Sequence, residues 1–380
     1  MSHTLLCVTH YRQGHIVLRF TCAVRTPKRG FCVQTAQVNG GGRQDGRVST
    51  DTPLPPLDDI LGSARVVALP LATRFRGIDV REALVFEGPE GWSEFSPFTE
   101  YDDDEASTWL AAAIEDAWMP RPAAVRDTVG VNATVPAVQA SAVPGVLARY
   151  DGCRTAKVKV AEAGQRLADD IARVRAVRES LGPEGRVRID ANGGWNVDEA
   201  ERALHTLAEF DLEYAEQPCA SVDELAELRR RVKYMDIPIA ADESVRKAAD
   251  PLAVARAGAA DLLVIKVQPL GGVRRALEIV AEAGLPAVVS SALDTSIGLS
   301  MGVALAASLP HLDYDCGLGT ASLFLADVAD PPLVPREGML AAGRVTPSPS
   351  LLAGHAAPAD RRQWWLDRVA RCYEVLSAAA

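Results

Sequence analysis

Six charged residues recur through the middle of the chain at intervals that suit a single reaction centre. Lys157 and Lys159 lie in one apolar run, Asp190 ends the next, and Glu216, Asp242 and Lys266 follow in the runs after it. From Lys159 onward the spacings are 31, 26, 26 and 24 residues, about one strand-plus-helix unit each. Three acids on successive strand ends are predicted to converge within reach of one cation. Carboxylate oxygens without His or Cys suit a hard ion such as Mg2+, with Mn2+ as a substitute. The flanking lysines would approach a metal-bound substrate from opposite faces, Lys159 on one side and Lys266 on the other. Lys157, two residues from Lys159, points to the same side of its strand and adds positive charge there.

That set of groups fits removal of a proton from the carbon beside a carboxylate. Such a proton is weakly acidic because the enolate places two negative charges on neighbouring oxygens, and a divalent cation offsets them. A lysine base needs its amine form, which burial and neighbouring cations favour. One acid at a strand end is ordinarily a helix cap or a surface charge, and Lys266 alone could be a lysine whose stem lies along apolar surface. Charge inside apolar runs is costly unless it is paired or bound to metal, and here it recurs on five successive strands.

The elements that must carry these residues form a rhythm. Strand-like runs are read at Val129–Val135, Thr155–Val160, Val187–Asp190, Leu212–Glu216, Ile237–Asp242, Leu262–Val267, Ala287–Ser291 and Leu312–Cys316. Amphipathic patterns such as Gln165–Leu181, Val197–Phe210, Ser221–Val232 and Val273–Ala283 lie between them. Eight strands alternating with helices predict an α/β fold, a closed parallel barrel whose active groups sit at the C-terminal strand ends. A doubly wound open sheet is the rival, weakened because no G-x-G-x-x-G follows the first strand.

Four segments are expected. Residues 1–62 read as an extension, disordered or the product of a mis-assigned start, because Met1–Thr50 is basic and Gly40–Gly42, Pro53, Pro55 and Pro56 punctuate it. A basic targeting arm is the other reading of that stretch. Residues 63–126 read as the first part of a capping domain, a small α+β unit with strands at Arg65–Leu71 and Ala83–Phe86 and a helix at Glu105–Trp118. Residues 127–319 form the barrel, and 320–380 a tail ending in a helix over Asp360–Leu376.

Of 380 residues, 48% are hydrophobic and 24% charged, enough for a sizeable core without staples. A net charge of −10 argues against a nucleic-acid partner, and no apolar run is long enough to span a membrane. The seven cysteines are scattered and odd in number, which predicts reduced thiols and a cytoplasmic location.

The motifs Lys157-Val158-Lys159, Asp190-Ala191-Asn192, Glu216-Gln217-Pro218, Asp242-Glu243-Ser244 and Lys266 followed by Gly271-Gly272 resemble those of the enolase superfamily, in its muconate-lactonising subgroup. The resemblance implies a (β/α)7β TIM-like barrel with an α+β capping domain built from the N-terminal unit and the C-terminal tail. It implies Asp190, Glu216 and Asp242 as Mg2+ ligands and Lys159 and Lys266 as the catalytic pair. Lys157, Asn192 and Glu243 would support them.

Within the subgroup, the segments Arg74–Gly77, Gly91–Phe98, Val131–Pro136, Ser290–Ser296 and Gly317–Thr320 are similar to those of the o-succinylbenzoate synthase family in its actinobacterial form. That likeness implies dehydration of a succinyl-cyclohexadiene carboxylate on the route to menaquinone. Lys159 would take the α-proton and then help expel hydroxide, while Lys266 steadies the intermediate.

Ser290, Ser291, Thr295 and Ser296 could hold the remote carboxylate, or Thr295 and Ser296 could instead cap a helix. Arg74 and Arg76 could close over the substrate or stay solvated. The nearest alternative activity is racemisation of N-succinylamino acids or epimerisation of dipeptides, which needs both lysines as acid and base. A Schiff-base aldolase using Lys266 and a non-catalytic binding barrel are the others.

Overall fold

The computed structural model describes residues 5–12, 15–22, 54–247 and 250–379. The chain divides into two units, residues 1–47 and 48–380. In the first, β1 (Leu5–Arg12) and β2 (His15–Cys22) form an antiparallel hairpin in which Arg12 pairs with His15. That stretch was expected to be unstructured. Residues 23–53, which carry most of the glycines and basic residues behind that expectation, lie outside the described residues.

In the second unit the ordered fold begins earlier than the expected boundary at residue 63. Helix α1 (Leu57–Ser63) packs Leu57, Ile60 and Leu61 onto the core, and Ile60 is fully buried. The i, i+3, i+4 spacing of those three side chains is short, and the flanking prolines mask it in the sequence. Next come β3 (Arg65–Phe75), β4 (Ile78–Gly88) and β5 (Gly91–Phe95), an antiparallel sheet in that order. Helix α2 (Asp103–Trp118), capped by the Asp102 carboxylate on the Glu105 N–H, covers the sheet.

The larger layer is a curled, seven-stranded, all-parallel sheet. Its strands are β7 (Ala133–Val135), β8 (Thr155–Lys159), β9 (Arg186–Asp190), β10 (Leu212–Glu216), β11 (Ile239–Ala241), β12 (Leu262–Ile265) and β13 (Ala287–Val289). They lie side by side in chain order, so the sheet has no topological switch point and the doubly wound alternative is excluded.

Before β7 stand β6 (Thr128–Gly130), and after it α3 (Val143–Leu147). The crossovers carry α4 (Leu167–Leu181), α5 (Val197–Leu207), α6 (Val222–Val232), the short α7 (Glu243–Arg246) and α8 (Ala253–Arg256), α9 (Val273–Ala283), and then α10 (Ser296–Ser308). Asn196 with Glu199, and Ser221 with Glu224, form capping boxes that start α5 and α6 where the sequence changes period. The tail adds β14 (Met339–Ala341), α11 (Pro349–Gly354) and α12 (Ala359–Ala379), and α12 packs on α2.

Two expected strands differ. Val129–Val135 is not continuous: β6 pairs antiparallel with β14, and only β7 joins the large sheet. Leu312–Cys316 forms no strand. Instead Cys316 bridges Val131 and Gly317 bridges Ser290, which links the two edges of the sheet. The segment stays short because the Asp315 carbonyl accepts from the Arg188 guanidinium at 2.6 Å rather than from a ladder partner. No helix among the described residues is long and apolar enough to cross a membrane.

Two acids of the small layer cap helices of the large one. Glu115 on α2 accepts from the Val273 N–H at the start of α9. Glu94 on β5 accepts from the Thr295 hydroxyl at 2.6 Å and the Gly298 N–H at 2.9 Å at the start of α10. Both place negative charge at the positive end of a helix dipole. Gly298 is required there, since a Cβ would stand 2.8 Å from the Glu94 carboxylate.

Candidate active site

The two-residue period of a strand puts Val187 and Ile189 on one face of β9 and Arg188 and Asp190 on the other. Sheet register then aligns the charges across strands. Lys159 pairs with Asp190, and Asp190 with Glu216, so three of the expected residues stand level on adjacent strands. Asp242 and Lys266 each follow the last residue of their strands, β11 and β12. The lower part of the concave face is filled by Tyr214, Ala240, Leu262, Val264 and Val288, with Arg188 over the Tyr214 ring at 4.8 Å. The charged side chains therefore sit on a packed floor.

Acids and lysines pair tightly. Lys157 donates to both Glu216 oxygens at 2.8 and 3.0 Å and lies 3.2 Å from Asp190. Lys159 donates to Asp190 at 2.6 Å and to the Asn192 side-chain carbonyl at 2.7 Å. Lys266 donates to Asp242, and Arg246 donates to the same carboxylate at 3.1 Å and to Glu243 at 2.6 Å. Asn192 also donates to Glu243 at 3.2 Å, which ties the two ends of the row together.

Lys157, Lys159, Lys266, Asn192, Ser290, Ser291 and Arg76 all line one cavity. The loop from Arg74 to Ile78, with Phe98 and Tyr101, brings the small layer to its mouth. Arg76 and Gly77 have φ of 48° and 79°, the hairpin turn in which both central residues are left-handed. Placing arginine rather than Asn or Gly at the first of these positions costs about 1 kcal/mol of backbone strain. In return it puts the guanidinium 4.3 Å over the Phe98 ring, at the cavity.

Other expected contacts fall elsewhere. Arg74 is exposed and reaches only Asp79, at 3.9 Å. Thr295 caps α10 and donates to Glu94, while Ser296 donates to Asp327 at 2.8 Å, so both hydroxyls are spent within the fold. Ser291 donates to the Gly317 carbonyl and shares a hydrogen bond with Thr320, both at 2.8 Å.

Sequence reasoning assigned no role to Arg246, Gln217, Tyr101 or Thr134. Arg246 follows Asp242 by four residues, the spacing of helical neighbours, and that was its one local signal. Gln217 holds the Asp242 loop by accepting from the Asp242 and Ser244 N–H groups, at 2.9 and 3.2 Å.

Burial governs the charges. Asp190, Glu216 and Asp242 are at most 1% exposed. Burial alone would raise all three. Lys159 and Lys157 nonetheless hold Asp190 well below the ordinary carboxylate value, and Lys266 and Arg246 hold Asp242 at about 2. Glu216 goes the other way, to about 8, through burial and the negative charge of Asp190 beside it. Burial also lowers Lys266, against the pull of Asp242.

Among the described residues no three His, Cys, Asp or Glu side chains converge closely enough for one metal ion, so the convergence expected of Asp190, Glu216 and Asp242 is not displayed. Their carboxylates are turned to lysines instead. The donor chemistry still fits a divalent cation: three buried carboxylates at neighbouring strand ends, two of them so close that one resists ionisation.

A pH dependence follows. Burial and the Asp190 charge push the Glu216 carboxyl up to about 8, against the pull of the Lys157 ammonium. The stability this contributes is complete below its ordinary value of 4.5 and is lost as pH rises through about 8. An ion held by this carboxyl would compete with a proton for it, so Mg2+ affinity is expected to rise by up to about tenfold per pH unit from 6 to 8 and then level off. Calorimetric titration of Mg2+ across that range measures it, and a flat profile contradicts it.

Comparison with known proteins bears on the same residues. The family description "Enolase C-terminal domain-like" matches residues 142–348, and "Enolase N-terminal domain-like" matches residues 66–117. The o-succinylbenzoate synthase of Mycolicibacterium smegmatis is 59% identical over 324 residues, 85% of this chain and 99% of that protein. Its counterpart in Mycobacterium leprae is 56% identical over 328 residues, 86% of this chain and 96% of that protein. In structure, the muconate lactonizing enzyme of Pseudomonas fluorescens aligns with a TM-score of 0.66 at 20% identity, covering 78% of this chain and 98% of that one. A dipeptide epimerase from Enterococcus faecalis aligns at 0.60 with 21% identity, covering 74% and 97%, and at such identities the likeness is one of fold.

Proposed function

The chain belongs to the enolase superfamily and, within it, to the o-succinylbenzoate synthases, and from that premise we propose how its residues carry out the reaction. The activity is that of a lyase. It removes water from 2-succinyl-6-hydroxy-2,4-cyclohexadiene-1-carboxylate to give o-succinylbenzoate, a step in menaquinone biosynthesis. Racemisation of N-succinylamino acids is not favoured, since the relatives above half identity are synthases.

We read the sheet as a (β/α)7β barrel whose eighth position is the short Cys316–Gly317 segment, because that segment bonds to both edges. The superfamily uses a divalent metal, and we propose Mg2+, with Mn2+ able to replace it, held by Asp190, Glu216 and Asp242. When bound, the ion supplies positive charge at the substrate carboxylate, where the second negative charge develops.

The amine of Lys159 takes the proton from C1. The electron pair left at C1 delocalises into the carboxylate and then forms the C1–C6 double bond as the C6–O bond breaks. The same lysine, now an ammonium, returns its proton to the departing hydroxide, so water leaves and the ring becomes aromatic. Lys266 on the opposite wall steadies the intermediate by charge. Lys157 and Asn192 hold Asp190, Glu216 and Lys159 in place, and Glu243 does so through Asn192 and Arg246. Arg76, Ser290 and Ser291 receive the succinyl arm. A cytoplasmic location is supported by the unpaired Cys153, Cys219, Cys316 and Cys372.

The observation that carries the mechanism is the shared cavity of Lys159 and Lys266 beside the three buried acids. Turnover of the cyclohexadiene substrate with Mg2+, assayed beside N-succinylamino acids, tests it. Dehydration with little or no racemisation is expected, and turnover of the amino acids alone overturns the assignment.

A further inference from the structure

One phenol sits where the two layers meet over the site. Tyr101, from the loop before α2, is 7% exposed and lines the cavity. Its oxygen accepts from the Arg76 guanidinium at 3.4 Å and from the Arg246 guanidinium at 3.3 Å. Arg76 comes from the small layer and faces the cavity. Arg246 comes from the large layer, and its remaining N–H groups hold Asp242 and Glu243.

The tyrosine itself is fixed from several sides. Phe98 meets its ring edge-on at 5.7 Å, Lys247 lies 4.7 Å over its face, and Arg368 of α12 donates to its backbone carbonyl. A phenol held this rigidly loses little freedom by accepting two bonds, so movement of one arginine is transmitted to the other rather than absorbed.

We propose that Tyr101 is a positioning residue that couples recognition of the succinyl arm by Arg76 to the carboxylates that hold the divalent ion, acting through Arg246. It touches neither the reacting atoms nor the ion. Its effect runs in two directions: it keeps Arg76, at a hairpin tip, over the cavity, and it keeps Arg246 turned toward Asp242 and Glu243. Each site then binds more tightly when the other is filled. The proposal rests on the reading of Arg76 given above for its substrate half and is independent of it for its metal half.

The test uses binding rather than turnover. Tyr101→Phe retains the ring and removes both bonds. Dissociation constants for o-succinylbenzoate are measured in the parent, Arg76→Gln, Tyr101→Phe and the double variant, with Mg2+ titrated separately in the absence of product. Tyr101→Phe is expected to weaken product binding by roughly three- to tenfold in the parent and by less than about twofold where Arg76 is already glutamine. It should also weaken Mg2+ binding by roughly threefold, whereas Arg76→Gln leaves Mg2+ binding within about twofold. Additive effects on product binding, or an unchanged Mg2+ constant in Tyr101→Phe, overturn the coupling. A parent that binds Mg2+ but no o-succinylbenzoate refutes the functional reading instead, and the Mg2+ comparison still decides the metal half.

Discussion

Lys159→Ala is expected to lower kcat for dehydration by about four orders of magnitude while the protein stays folded. General acid–base groups contribute roughly 10^2 to 10^4 each. Lys159 serves twice, as the base toward C1 and as the acid toward the departing hydroxide, so its loss falls at the top of that range. The residue ends β8 with its side chain 13% exposed and its ammonium on Asp190 and Asn192. Removing it leaves Asp190 with Lys157 at 3.2 Å and Asn192 with Glu243, so neither group is left without a partner. Circular dichroism and thermal melting should therefore match the parent.

The contrast with Lys266 makes the result diagnostic. Lys266→Arg preserves positive charge on the opposite wall, so dehydration should survive in part, within about a hundredfold of the parent. A racemase would lose stereoinversion with either change, since it needs a proton donor on each face. Equal loss of dehydration in both variants, measured at saturating substrate, would count against the one-base mechanism.

Glu216→Gln should abolish activity for a different reason, a fall of about 10^3 or more that added Mg2+ does not restore. The amide matches the shape of the carboxyl, whose ionisation burial and Asp190 oppose, so the metal-free fold should lose little stability. What disappears is stabilisation by the ion. With Mg2+ at about a hundred times its dissociation constant, a parent of this size gains about 2.7 kcal/mol, a rise of roughly 3 to 4 °C in melting temperature. The variant should show no such rise.

Lys157 sharpens the interpretation, because its two bonds to Glu216 become bonds to a single amide oxygen, leaving a buried ammonium with Asp190 as its charged partner. A variant that unfolds would mean that the carboxylate charge, rather than ion binding, is the main role of this position. Melting with and without Mg2+, in parent and variant, separates the two.

Much of the site was legible in the chain because its residues obey two simple periodicities. Strand residues alternate faces, so a charge at the end of an apolar run must point inward or pay for burial. Successive parallel strands need a crossover of about two dozen residues, so spacing alone orders Lys159, Asp190, Glu216, Asp242 and Lys266. Helix starts obey an equally local rule: Asn196 and Ser221, each with a glutamate three residues on, cap α5 and α6. Short segments were harder. Leu57–Ser63 is too brief to show a period after Pro53, Pro55 and Pro56, and Leu312–Cys316 has the composition of a strand but gives the Asp315 carbonyl to Arg188.

The order and identity of the charged strand ends, the parallel sheet they imply and the class of chemistry were thus determined by sequence alone, since each depends on neighbours a few residues apart. Tertiary structure decided which groups meet. Thr295 and Ser296 turned to Glu94 and Asp327 rather than to the cavity, Arg76 was chosen over Arg74, and Arg246 met Tyr101 across 145 residues of chain. Those outcomes depend on how the small layer docks on the sheet. Docking is set by the summed burial and capping of whole surfaces, which no local pattern encodes.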